Sequence, residues 1–169
     1  MEIEPERLGA AAMVEQGATP MKVVVKRIYV VCDPPSTRGK AVLGAPRVVR
    51  RARRAFDQLP KEQEHVVAFF VDSKNKDLGH YVVAAGGQSM CIVDLRLLFR
   101  AALLTAGPVD AIILTHNHPS GDPTPSTEDR ALTQRVVEAC RMMGFRFLDH
   151  VILGGPSSWC SMRAMGVMP

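Results

Sequence analysis

"VDAIILTHNHPSGDPTPSTEDRAL", residues 109–132, decides how this chain folds. Its first eight residues are nearly all apolar, the composition of a short strand covered on both faces of its sheet. Pro119, Gly121, Pro123 and Pro125 then shape a loop. Ser126 opens a helical pattern that runs to Met143 and stops at Gly144. A buried strand, a stiff loop and a helix in that order make one step of an alternating α/β chain.

The same alternation extends outward. Residues 21–33 ("MKVVVKRIYVVCD") read as a strand and residues 34–40 as a loop. Pro46 starts a helix to about Leu59, with Val48, Val49, Ala52, Ala55, Phe56 and Leu59 at helical spacing. Residues 64–87 read as two strands around a turn at Ser73–Lys76, and residues 94–107 as a helix closed by a glycine cap at Gly107. The helix after the quoted loop is expected to bury Leu132, Val136, Ala139, Cys140 and Met143; residues 145–154 form another strand, and the tail from Ser157 is short and mixed. Residues 1–20 carry no period and are expected to lie loosely on the surface, ahead of a single domain over residues 21–169. The expected fold is α/β, a sandwich around one sheet.

Composition narrows the function. Of 169 residues, 47% are hydrophobic and 22% charged, ordinary for a soluble domain. The longest apolar run, Val66 to Val71, is far too short to span a membrane, and the acidic start "MEIEPERLG" lacks the order of a signal peptide. A cytoplasmic protein is expected. Cys32, Cys91, Cys140 and Cys160 form no CxxC pair, which excludes a zinc ribbon and predicts buried apolar thiols. The net charge of +4 gives weak attraction to polyanions. Arg47, Arg50, Arg51 and Arg54 fall on one helical face in "RVVRRARRAF". Without interleaved aromatics, that face reads as solvated before it reads as a DNA contact.

Chemistry concentrates in the quoted loop. Side chains alternate along an extended segment, so His116 and His118 point the same way from the strand end. Two neutral imidazoles there suit zinc, which needs a third protein ligand and leaves a fourth position for water. Asp129, in the first turn of the next helix, is the candidate. Ser126 and Asp129 also match a capping box, and on spacing alone the cap is the better reading. The paired histidines tip the balance, since turns have little structural use for them. Both readings can hold together, Ser126 capping while Asp129 binds metal. His65, His80 and His150 stand alone, and His150 reads as a hydrogen-bonded structural residue.

His116, His118, Ser126 and Asp129 at this spacing resemble the JAMM signature of the MPN/JAB metalloprotease superfamily, and "HNHPSGDPTPSTED" is similar to its RadC family. The likeness extends to "EHVVAFFVDSKN", "LRLLFRAAL" and "LDHVILG", across roughly residues 60–165. It implies a three-layer sandwich, a mixed sheet with helices on both faces similar to the deaminase-like sandwich, and one zinc ion per chain. It also implies a glutamate on an earlier strand. Glu64 matches that position, with Glu62 as fallback; read without the resemblance, Glu64 is an exposed charge at a strand start. The implied activity is hydrolysis of a peptide or isopeptide bond in a peptide or protein substrate. Glu64 would act as general base and acid, and Ser126 would bond the oxyanion or orient a ligand. The competing expectation is a repair or recombination accessory module that binds DNA or protein without peptidase activity. Two departures from the family pattern stand out. Residues 1–60 show no helix-hairpin-helix of the kind RadC proteins often carry, and Leu95-Arg96-Leu97 stands where the family usually has Pro-Arg-Glu. A nucleotide deaminase would need HxE and PCxxC patterns, which are absent.

Overall fold

A computed structural model describes residues 44–86 and 93–168. The strand expected at residues 21–33, the loop after it and the N-terminal residues 1–20 lie outside the described residues. Within them the chain runs α1 (Ala45–Phe56), β1 (His65–Val71), β2 (Asp77–Ala85), α2 (Leu95–Leu104), β3 (Ala111–Asn117), α3 (Thr127–Met143), β4 (Arg146–Leu153) and β5 (Trp159–Ser161). The strands form one mixed sheet in the order β2-β1-β3-β4-β5, with β3 antiparallel to β1 and parallel to β4. The parallel pair needs a crossover, and α3 provides it.

The sheet is covered on both faces, as the apolar runs of β1 and β3 require. Val66, Ala68 and Phe70 of β1, with Ile112 and Leu114 of β3, pack under α2 and α3 through Leu98, Ala102, Val136 and Cys140. Val67, Phe69 and Val71, with Ala111 and Ile113, pack under α1 through Val48, Val49, Ala52 and Phe56. The alternation places His116 on the side of α3, in step with Ile112 and Leu114.

Several details differ from the sequence reading. Helix α1 ends at Phe56, three residues before Leu59. Helix α2 stops at Thr105, whose backbone is extended and whose hydroxyl donates to the Ala101 carbonyl, so Gly107 lies beyond the cap. Met143 is exposed, because the buried stripe of α3 is Asp129, Thr133, Val136 and Cys140. The mixed tail holds a short edge strand, β5, paired with β4. Arg51 does not share an exposed face with Arg47, Arg50 and Arg54. It is buried, donates to Asp77 and lies 5.0 Å from the Phe69 ring centroid. The cause is its position three residues after Val48 and four before Ala55, which puts it on the apolar side of the helix. His80, read as isolated, stacks on Phe69 and lies 3.1 Å from the Arg51 guanidinium. No helix among the described residues is long and apolar enough to cross a membrane.

Candidate metal centre

The end of β3, the start of β1 and the first turn of α3 meet at one point. His116 closes the buried part of β3 and pairs across the sheet with Val66 of β1 and Ile152 of β4. His118 follows two residues later, its backbone N–H held by the Leu153 carbonyl at 2.8 Å. Asp129 comes from the opposite layer, on the buried stripe of α3. The Nε2 atoms of His116 and His118 are 2.8 Å apart. Asp129 Oδ1 is 3.1 Å from the first, and Oδ2 is 3.4 Å from the second. Glu64 joins them, with one donor atom from each of the four residues within 4.8 Å of the others. Glu62 is exposed and outside this group.

The cap and the cluster coexist. Ser126 accepts the Asp129 N–H at 3.0 Å, and the Ser126 N–H and hydroxyl donate to Asp129 Oδ2 at 2.8 and 2.7 Å. This capping box turns the other carboxylate oxygen toward His116. Ser126 thus orients Asp129, and its hydroxyl is committed to that carboxylate.

The donor set fits a metal ion. The Nδ1–H of His118 donates to the Asp122 carbonyl at 2.7 Å, which leaves a lone pair on Nε2 when the ring is neutral. Donor separations of 2.8–3.4 Å bracket the edge of about 3.3 Å expected between tetrahedral ligands at zinc–nitrogen distances. Two imidazoles and a carboxylate are a borderline-soft set of the kind zinc takes. Burial opposes charge on Asp129, but hydrogen bonds from His116 and His118 outweigh it and hold the carboxyl far below the usual range. The same bond to Asp129 raises the His118 pKa against the effect of burial.

Two neighbours stand behind the cluster: Asn117, whose part the sequence reading missed, and His150, read there as a hydrogen-bonded structural residue and bonded through both ring nitrogens. Asn117 accepts the His65 N–H at 2.9 Å and donates to the Gln63 carbonyl at 2.9 Å, bracketing Glu64. The alternation that aims both histidines at one face aims Asn117 at the other, and that was the available signal. His150 Nε2 lies 2.8 Å from His116 Nδ1, and His150 Nδ1 lies 2.6 Å from Thr133 Oγ1. Burial drives the pKa of His150 well below its ordinary value. Beside His118 a cavity of about 380 Å³ is lined by Arg53, Phe56, Asn117, Pro119, Leu153 and Gly154, among others. Arg47, Arg50 and Arg54 lie on α1, exposed, and are not among the residues of the donor cluster.

A mixed sheet between helices, with this donor cluster at the mouth of its central strand, defines the class. The RadC-like JAB domain model matches residues 45–167, and the chain belongs to that family. It is 36% identical over 132 residues to a UPF0758 protein of Syntrophomonas wolfei, covering 76% of this chain and 55% of that one. A UPF0758 protein of Carboxydothermus hydrogenoformans is 43% identical over 104 residues, 62% of this chain and 45% of the relative. One of Methanococcoides burtonii is 43% identical over 93 residues, 55% and 40% respectively. The chain spans about half the length of these curated relatives.

Proposed function

We propose that this domain is a zinc-dependent hydrolase of the JAMM type that cleaves peptide or isopeptide bonds. The observation that carries the reading is the convergence of His116, His118 and Asp129 with Glu64 beside them. His116, His118 and Asp129 would hold the ion and Glu64 would stay free for proton transfer. A bound zinc ion supplies Lewis acidity, polarising a carbonyl and lowering the pKa of water to about 7.

The chain's own residues supply the rest. Glu64 takes a proton from the attacking water as the water oxygen bonds to the carbonyl carbon. It returns that proton to the amine nitrogen as the C–N bond breaks. Ser126 keeps Asp129 in place through both steps by its hydrogen bonds to that carboxylate. The cavity beside His118, with apolar walls from Phe56, Pro119 and Leu153 and a cation at Arg53, receives a substrate residue next to the scissile bond.

Protein purified without chelator is expected to contain about one equivalent of zinc, by elemental analysis. A His116→Ala, His118→Ala double variant should contain none, and unchanged zinc in it would overturn the ligand assignment. A peptide and isopeptide screen, run with and without chelator, identifies the substrate. On that substrate Glu64→Gln should lose about 10²–10⁴-fold in rate and keep its zinc. Full activity in that variant would remove Glu64 from the chemistry.

A further inference from the structure

We propose that His150 and Thr133 form a positioning relay that holds His116 in the tautomer whose Nε2 lone pair faces the metal cluster. The inference rests on the metal reading above and assigns roles to two residues outside the ligand set.

The direction of every hydrogen in the relay follows from one fixed acceptor at one end and a metal-facing nitrogen at the other. Thr133 Oγ1 lies 2.6 Å from the backbone carbonyl of Asp129, one helical turn earlier. A carbonyl only accepts, so at that distance the hydroxyl proton sits between the two oxygens. The Met162 sulfur, 3.2 Å from the same hydroxyl, is a weak acceptor and does not compete. With its proton committed, Thr133 Oγ1 can only accept from His150 Nδ1 at 2.6 Å. His150 therefore carries a hydrogen on Nδ1. A His116 that gives its Nε2 lone pair to an ion keeps its one hydrogen on Nδ1, 2.8 Å from His150 Nε2, which accepts it. That His116 Nε2 lies inside the donor cluster, 3.1 Å from Asp129 Oδ1 and 2.8 Å from His118 Nε2.

Burial makes the arrangement obligatory. His116 and His150 are fully buried and Thr133 is 1% exposed, so water cannot substitute for a missing partner. The relay also closes on itself. Thr133 bonds the carbonyl of Asp129, the residue whose side chain faces His116, so the ligand from α3 and the ligand from β3 are held by one chain of bonds. His118 reaches the same end by a different route, donating from Nδ1 to the Asp122 carbonyl. Such partners behind a ligating histidine are worth about 10–100-fold in metal affinity.

The test uses the full chain and two readouts that need no substrate. In zinc-loaded protein, nitrogen-15 spectra of the imidazoles should show His116 and His150 each protonated on Nδ1. A His150 protonated on Nε2 would overturn the relay. Zinc affinity, by competition with a chelating indicator, should fall about 10–100-fold in His150→Leu, and His150→Gln, whose side-chain oxygen can accept near the Nε2 position, should stay within about threefold of the parent. A folded His150→Leu protein with parental affinity would also overturn it. Should His150→Leu fail to fold, Thr133→Val carries the test, because removing the acceptor for His150 should lower zinc affinity about 10–100-fold. Parental affinity in Thr133→Val counts against the relay. If the parent protein binds no zinc, the metal reading and the relay fall together; if it binds zinc and cleaves no screened substrate, the hydrolase reading falls and the zinc affinities still decide the relay.

Discussion

Asn117 stands between the two histidines in sequence and faces away from them in space. Its amide ties the backbone on both sides of Glu64, so the one carboxylate of the cluster outside the proposed ligand set is held by β3, the strand that carries the histidines. Asn117→Ala should leave zinc content at parental levels and lower the hydrolysis rate about 10²-fold, the effect of a misplacement near 1 Å. A variant with the parental rate would show that β1 fixes Glu64 unaided. At this scale the sequence told much about the ligands and little about their supports. His116, His118 and Asp129 have residue types and spacing that suit a metal. Asn117, Thr133 and His150 are common residues whose roles depend on which strand lies beside which. The pairing of Leu114 with His150 across β3 and β4 is a matter of register, and local pattern does not encode it.

Between β4 and β5 the chain makes a turn that grips the histidine loop. The Gly155 N–H and the Ser158 hydroxyl both donate to the Gly121 carbonyl, at 2.9 and 3.1 Å, and the His118 N–H bonds Leu153. Gly154 sits where the two segments come closest. A methyl group on it would lie 2.3 Å from the Gly121 carbonyl oxygen, 2.5 Å from Ser158 Oγ and 2.9 Å from Pro123 Cδ. Backbone and a proline ring cannot swing aside, so Gly154→Ala must push the loop outward. We expect a loss of about 1–3 kcal/mol in urea unfolding, together with weaker zinc binding because His118 moves with the loop. Parental zinc affinity in that variant would mean the loop is held from elsewhere. The sequence located this loop and the strand ahead of it, since prolines, a glycine and an apolar run are strong local signals. It passed over β5, because three residues at a sheet edge are too few to establish a period. Arg51 was misplaced for a related reason: a helical face was counted by charge when its spacing to Val48 and Ala55 makes it part of the core.

For the whole molecule, charge sets an upper limit on one competing role. With Arg51 withdrawn into the core, Arg47, Arg50 and Arg54 remain exposed on α1 and the net charge is +4. Binding to duplex DNA from that charge alone should be detectable by fluorescence anisotropy at about 50 mM salt and lost by about 200 mM. Tight binding that persists at the higher salt would favour the DNA-associated reading. The layered α/β architecture was legible because alternating strands and helices leave few other solutions. The strand order was not, since it depends on contacts between distant segments. That order also governs how the protein comes into being. The β1–β2 hairpin is local and can form early. Strand β3 lies between β1 and β4 and carries His116, with His118 just beyond its end. The three proposed ligands share one stretch of chain, residues 116–129, whereas Glu64 comes from the start of β1. The ion-holding donors are thus a local inheritance of one strand, loop and helix, and it is the pairing of β3 with β1 that delivers Glu64 to them.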